Sequence, residues 1–303
     1  MIQARPFLKW AGGKRQLLNE LESNFPSYIK EKKEIDVYIE PFIGGGALFF
    51  YLQSEYTIKK SIINDINSDL MLTYKVIKFF PKELIKKLEK INKEYEKLNE
   101  EKRKEYYYKK LREPYNKIKV DINKLERDSW IKKASLLIAL NKTCFNGLFR
   151  QNSKGEFNVP IGRYKNPKIL DKENIRNVSE ILQDTEILCG NYNDINIDNK
   201  SKAFIYFDPP YRPLSETSSF TKYSKGDFND ENQKELANYF KKLANKKHFL
   251  ILSNSNPKNT NPKDNFFHEL YKGFKIKEVS AKRYINSKST GRGKITELLI
   301  KNY

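Results

Sequence analysis

Ala203-Phe204-Ile205-Tyr206-Phe207-Asp208-Pro209-Pro210-Tyr211 joins an unbroken apolar run to a carboxylate, two prolines and an aromatic ring. A short apolar run closed by a proline turn reads as a buried strand. In an open α/β sheet, ligands bind at the carboxyl ends of the strands, which is where Asp208 falls. A flat ring bearing an amino group can donate its two N–H bonds to the Asp208 carboxylate and a prolyl carbonyl while Tyr211 stacks on its face. Adenine extruded from a nucleic-acid duplex is such a ring. Standing alone, Asp-Pro-Pro is as readily a common turn.

Working outward, further strand candidates occur at both ends of the chain. Asp36-Val37-Tyr38-Ile39-Glu40 is followed by Pro41-Phe42-Ile43-Gly44-Gly45-Gly46 and by Ala47-Leu48-Phe49-Phe50-Tyr51-Leu52, a helix opening. Ser61-Ile62-Ile63-Asn64-Asp65 is a second strand ending in an acid. Later candidates lie at 186–189, 204–207, 248–253, 274–281 and 296–301, with a helix over 232–244. Between these ends, residues 71–145 are helical in pattern and highly charged. Leu84, Ile85, Leu88 and Ile91 recur there at helical spacing among Lys and Glu, the mark of a solvated face. Residues 141–167 change character, with Gly147, Gly155, Gly162, Pro160 and Pro167, and Asn152-Ser153-Lys154-Gly155 reads as a hairpin tip. The expected architecture is α/β: a doubly wound sheet built from both ends of the chain, with a mostly helical insertion carrying a β-hairpin. Residues 1–70 and 170–303 would form one domain and 71–169 the other.

Strand, glycine-rich turn and helix together make the usual cradle for a nucleotide-like cofactor, because glycines let the backbone approach and the helix N-terminus faces the ligand. The turn is Pro-Phe-Ile-Gly-Gly-Gly, neither Gly-x-Gly-x-x-Gly nor a Walker sequence. Asp65 follows Gly44 by roughly 20 residues, a spacing at which an acid takes ribose hydroxyls. A plain tight turn is the equal alternative for the glycines alone.

The 303 residues suffice for one large domain or two smaller ones. Lys and Arg number 58 against 38 Asp and Glu, a net charge of +20, which points to a polyanion: nucleic acid first, an anionic membrane surface second. No run approaches the ~18 apolar residues of a membrane span, and Met1-Ile2-Gln3-Ala4-Arg5-Pro6 lacks a signal h-region, so a cytoplasmic location is expected. Cys144 and Cys189 are too few for a disulfide framework, and with only His248 and His268 beside them no metal site is expected.

With Asp208 to Tyr211, the glycine turn and Phe7-Leu8-Lys9-Trp10-Ala11-Gly12-Gly13-Lys14 in one chain, the whole resembles a Dam-type DNA adenine methyltransferase of the α-group. The most specific part is Asn141-Lys-Thr-Cys-Phe-Asn-Gly-Leu-Phe-Arg150, running into Gly155-Glu-Phe-Asn-Val-Pro-Ile-Gly-Arg-Tyr164, which resembles the DNA-reading hairpin of enzymes that methylate adenine in GATC. The resemblance implies a Rossmann-like methyltransferase domain with S-adenosylmethionine as cofactor, and a target-recognition domain at 71–169. It implies cofactor contacts from Trp10, Lys14, Gly44, Asp65, Asp194 and Asp208. Trp10 read on its own is equally a core residue, and Asp194 equally a surface turn.

Catalysis is expected at Asp208, Pro209, Pro210 and Tyr211. Hydrogen bonds from the adenine amine to Asp208 and the Pro209 carbonyl would favour a tetrahedral nitrogen and stabilise its growing positive charge, with no metal or conventional base. The resemblance makes Phe145, where the family more usually has Tyr, the wedge into the opened duplex, and Lys9 a reader of the outer guanine. Arg150 suits guanine and Asn146 adenine, Leu148 and Pro160 can contact thymine methyls or pack on bases, and Arg163 grips phosphate. Phe220 and Tyr223 are placed to close over the flipped base, or to be a buried helix side. Lys282-Arg283-Tyr284 and 287–294 suit phosphates, or a solvated loop. The expected partner is double-stranded DNA, with a cognate restriction endonuclease sharing the site without a stable complex, and the enzyme acting as a monomer. Methylation of a related site or another nucleobase amine, or a DNA-binding relative without activity, are the competing readings.

Overall fold

The computed structural model describes residues 2–198, 201–213, 228–281 and 295–303. The expectations for Phe220, Tyr223, 282–284 and 287–294 fall outside these. Seven strands are present: β1 (Glu34–Glu40), β2 (Thr57–Asp65), β3 (Thr185–Cys189), β4 (Ala203–Phe207), β5 (Phe249–Ser255), β6 (Lys275–Ala281) and β7 (Ile295–Lys301). They form one mixed sheet in the order β3-β2-β1-β4-β5-β7-β6. β1 pairs in parallel with β2 and β4, and β4 in parallel with β5, whereas β7 runs antiparallel to β5 and β6. The order reverses between β1 and β4, where Ile39 faces Ile205. The carboxyl ends of these two strands therefore adjoin at the topological switch point, where doubly wound sheets take ligands.

All five residues of β4 are buried, as are Leu250 to Ser255 of β5. A parallel sheet is covered on both faces, which selects continuous apolar runs over alternation. β2 shows the contrast: Ser61 to Asn64 are buried, but Thr57 to Lys60 are not, so its first half carries no apolar signature.

The chain divides into two compact units. One comprises Met1–Gly13, Gly44–Glu55 and Asn64–Asn191; the other comprises Lys14–Ile43, Tyr56–Ile63 and Tyr192–Tyr303. In the first, the Arg127–Thr143 helix is buried along most of its length and packs against Ser68–Phe79, Pro81–Glu96 and Glu113–Lys117. The Pro81–Glu96 helix buries Leu84, Ile85, Leu88, Ile91 and Tyr95 as one stripe, the amphipathic pattern of a helix covering a core. Tyr107–Arg112 is a π-helical segment, and the Tyr107 hydroxyl donates to the Val159 carbonyl at 2.8 Å. Asn116 exchanges two hydrogen bonds with the backbone of Phe157, at 2.9 and 3.1 Å. These bonds seat the hairpin on the helices. Its tip lies at the expected residues: Asn152 Oδ1 accepts the N–H groups of Lys154 and Glu156, and Gly155 has a φ of 74°. The pairing is by isolated bridges, Cys144 with Ile161 and Gln151 with Phe157, rather than by regular strands. In the second unit the Asp230–Asn245 helix packs on β5, and its Leu236, Ala237, Phe240 and Leu243 are buried. Among the described residues no helix is long and apolar enough to cross a membrane.

Candidate active site

The first grouping of expected residues lies in the first unit. Gly44 and Gly46 have φ of 47° and 72°, a region that side chains with a Cβ rarely adopt. A Cβ on Gly44 would stand 2.9 Å from Trp10 Cδ1, and one on Gly46 2.8 Å from the Tyr74 hydroxyl, so both positions also lack room. The Gly44 N–H donates to Asp65 Oδ2 at 3.1 Å, and Tyr74 donates to the Gly44 carbonyl at 3.1 Å. Asp65 Oδ1 accepts the Asn67 N–H at 2.9 Å, and Asn67 itself caps the Ser68–Phe79 helix. Burial pushes the Asp65 pKa above its ordinary value despite these backbone donors. Trp10 stacks on Phe149 with centroids 5.1 Å apart. Trp10, Gly44 and Asp65 are thus brought together, and the apolar Ile66 beside them is 62% exposed. A tight glycine backbone, a half-buried acid and exposed apolar surface fit the ribose and base of a nucleoside-bearing cofactor.

The second grouping lies in the second unit, at the end of β4. Asp208 Oδ1 accepts the Ser253 hydroxyl at 3.1 Å, and Ser253 is in turn bonded to the Tyr206 hydroxyl at 2.8 Å. Lys14, buried to 7% exposure, places its Nζ 3.2 Å from Asp208 Oδ1 and 4.0 Å from the centre of the Tyr211 ring. The Tyr211 hydroxyl donates to Glu297 Oε2 at 2.7 Å, and that oxygen is 3.8 Å from Lys14 Nζ. Burial raises the pKa of Asp208 above the ordinary carboxylate value, and the Lys14 charge and the two hydrogen bonds reverse this only in part. Burial, with the neighbouring carboxylates, also holds the phenols of Tyr206 and Tyr211 well above their usual range.

The turn is braced from behind. The buried Gln233 donates to the Pro210 carbonyl at 3.1 Å and accepts from Asn254, whose own carbonyl takes the Arg212 N–H at 3.3 Å. Arg212 forms a two-pronged pair with Asp230 and a third bond to Asp264 at 2.7 Å. Asp208, Pro209, Pro210 and Tyr211 therefore sit on a backbone held from β5 and the Asp230–Asn245 helix. Asp194 is exposed in the short Tyr192–Asp194 turn. Glu297 was not expected from sequence: in Thr296-Glu297-Leu298-Leu299 it reads as an ordinary outward strand residue.

The third grouping, in the first unit, carries the residues expected to meet DNA. Phe145 is 50% exposed, although its N–H is held by the Pro160 carbonyl at 2.8 Å. Asn146 adopts the left-handed conformation with φ 54°, which turns the Phe145–Gly147 segment sharply. The buried Asn141 accepts the Lys9 N–H at 2.8 Å and donates to the carbonyls of Lys9 and Gly147 at 2.9 and 2.8 Å, so it ties Lys9 to this turn. Lys9 Nζ lies 5.1 Å from the Tyr164 ring centre. Arg150 donates from Nε to Asn158 Oδ1 at 2.8 Å, which orients its guanidinium. Arg150, Pro160 and Arg163 are exposed and Leu148 is half-buried. The bracing role of Asn141 had no signal beyond its place in the quoted motif.

A doubly wound sheet bearing a glycine cradle after β1 and Asp-Pro-Pro-Tyr after β4 defines the class, a Rossmann-like methyltransferase. Residues 10–285 match the family model described as D12 class N6 adenine-specific DNA methyltransferase. The chain is 51% identical, over the full length of both proteins, to the type II methyltransferase M.MjaIII of Methanocaldococcus jannaschii. It is 41% identical to the type II methyltransferase M1.LlaDCHI of Lactococcus lactis, over all of this chain and 96% of that one. To the DNA adenine methylase of Escherichia coli K12 the identity is 33%, over 99% of this chain and 95% of the relative. The chain belongs to the D12 class and is an adenine-specific DNA methyltransferase. The family expected from Asp208 to Tyr211, the glycine turn and the 141–164 stretch is the family found.

Proposed function

We propose that the enzyme methylates the exocyclic amine of an adenine flipped out of GATC, with S-adenosylmethionine as donor. The observation that carries this reading is the Asp208 carboxylate, half-buried at the end of β4 and contacted by both Lys14 and Ser253 on its Oδ1 oxygen. Oδ2 is then the oxygen offered to the amine. One N–H of the amine would go to Asp208 and the other to the Pro209 carbonyl, and Tyr211 would stack on the purine. Asp208 contributes by stabilising the positive charge that grows on the nitrogen, an effect strengthened where water is excluded. The fixed turn contributes positioning. The donor supplies an electrophilic methyl group. Trp10, Gly44, Asp65 and Ile66 would hold it, with Asp65 on the ribose hydroxyls; the family resemblance adds Lys14, Asp194 and Asp208 to its contacts.

Target recognition belongs to residues 71–169 and catalysis to 1–70 and 170–303. Phe145 would fill the space left by the flipped base, since a half-exposed phenyl on a rigid turn is suited to stack within an opened duplex. Arg150 and Lys9 would read guanine, Asn146 adenine, and Leu148 and Pro160 the thymine methyls, while Arg163 holds the backbone. The enzyme acts in the cytoplasm as a monomer. A restriction endonuclease cutting the same site, without stable complex formation, is its expected companion, in keeping with the type II designation of two relatives.

The test is incubation with labelled S-adenosylmethionine and duplexes containing GATC or each single-base variant, followed by nucleoside digestion. Label in N6-methyladenine from GATC alone supports the reading. Label in cytosine, or equal labelling of the variants, overturns it.

A further inference from the structure

We infer that Glu297 is a positioning residue for methyl transfer: it fixes the Tyr211 ring through its hydroxyl and shares Lys14 with Asp208. The inference deepens the reading of Asp208 to Tyr211 as the adenine site and rests on it. Two carboxylates flank one buried ammonium: Lys14 Nζ is 3.2 Å from Asp208 Oδ1 and 3.8 Å from Glu297 Oε2. The same Glu297 oxygen accepts the Tyr211 hydroxyl at 2.7 Å, a hydrogen bond strengthened by the acceptor's charge. Tyr211 is thereby held at two points, its hydroxyl by Glu297 and one ring face by Lys14 at 4.0 Å. A purine would stack on the opposite face.

The charges explain why a second acid is needed. Lys14 with Asp208 alone would be a neutral pair, its ammonium drawn fully onto the carboxylate that must accept the adenine amine. Such an ammonium would also oppose the positive charge growing on the nitrogen. A second carboxylate, 3.8 Å from Lys14 Nζ, draws the ammonium partly away from Asp208 and so weakens its opposition to the positive charge on the nitrogen. Glu297 reaches this place because β7 lies beside β5, with Glu297 paired to Ser255 two residues beyond Ser253. The side chain that steadies the catalytic turn thus comes from the strand that also carries Leu298 to Ile300 into the core.

The experiment compares Glu297→Gln, Glu297→Ala, Tyr211→Phe and the Ala/Phe double variant with wild type. Steady-state methylation is measured together with the fluorescence of duplexes carrying 2-aminopurine at the target adenine, and melting temperatures are recorded for each protein. Glu297→Gln keeps an acceptor for Tyr211 but loses the charge, so kcat should fall about tenfold while KM for DNA stays within about threefold. Glu297→Ala and Tyr211→Phe should each alter the 2-aminopurine signal, and the double variant should be no worse than the poorer single within about twofold, because both break the same contact. Multiplying losses in the double variant, or wild-type kcat in Glu297→Gln, would overturn the role. If Glu297→Ala fails to fold, the isosteric Glu297→Gln, alone and with Tyr211→Phe, decides by kcat and fluorescence. Asp208→Ala is run alongside. Turnover in that variant overturns the adenine-site reading itself, whereas an inactive Asp208→Ala with an unaffected Glu297→Gln removes only the part given to Glu297.

Discussion

At the scale of single residues, Asp208 combines its proposed part in methyl transfer with a cost to the fold. Burial raises its pKa above the ordinary 3.8, so the carboxyl is harder to ionise in the folded protein than in the unfolded chain. A group shifted this way contributes most favourably below its unfolded pKa, and that contribution is lost as pH rises through the folded value. Asp208→Asn should therefore raise the melting temperature near neutral pH, lose that advantage as pH is lowered toward about 4, and abolish methyl transfer. A melting temperature at neutral pH that is unchanged or lower would show that the Lys14 pairing outweighs desolvation. In the wild type, the acid limb of kcat should have its midpoint above 3.8. Gly44 is the complementary case, where a side chain is excluded. Gly44→Ala places a Cβ 2.9 Å from Trp10 at a positive φ, so urea unfolding should register a loss of about 1–3 kcal/mol. A stability equal to wild type would mean that Trp10 moves aside freely.

At the scale of elements, legibility in the sequence followed burial. β4 could be read from Ala203 to Phe207 because every residue of a covered parallel strand is apolar or aromatic. β1 and β2 begin earlier than their apolar patterns suggest, at Glu34 and Thr57, because their first residues join the ladder while largely solvent-facing. The π-helical turn at Tyr107–Arg112 and the bridge-only pairing of the hairpin have no compositional mark, since both depend on side chains from elsewhere, such as Tyr107 on Val159 and Asn116 on Phe157. Asp208 and the glycine turn were legible as local motifs. Glu297 was not, because its place beside Tyr211 and Lys14 arises from the register of β7 against β5. The hairpin also supports a prediction of its own. Asn158 holds Arg150 Nε at 2.8 Å and so fixes its guanidinium, and Arg150→Ala should reduce discrimination at one base position by roughly 1–3 kcal/mol. Competition binding with single-base variants of GATC measures this, and an equal loss on every sequence would make Arg150 a phosphate contact.

At the scale of the whole molecule, the excess of 58 basic over 38 acidic residues acts mainly on association with DNA rather than on the fold. Neutralising about four phosphates makes affinity fall on the order of a hundredfold for a fourfold rise in salt. Filter binding or anisotropy should show at least this dependence for duplexes with and without GATC, and a shallow slope would separate the basic surplus from DNA binding. The arrangement of the sheet has a consequence of a different kind. β1 has one neighbour, β2, close behind it in sequence, but its other neighbour is β4, where Val37 meets Ala203. A ribosome adding about 5–20 residues per second needs on the order of ten to thirty seconds to cover that gap. Throughout it, the apolar edge of β1 has emerged without the strand that caps it, an open template for other nascent chains. Synthesis of this enzyme should accordingly lean on holding chaperones, and fragments that stop short of β4 should accumulate as aggregates.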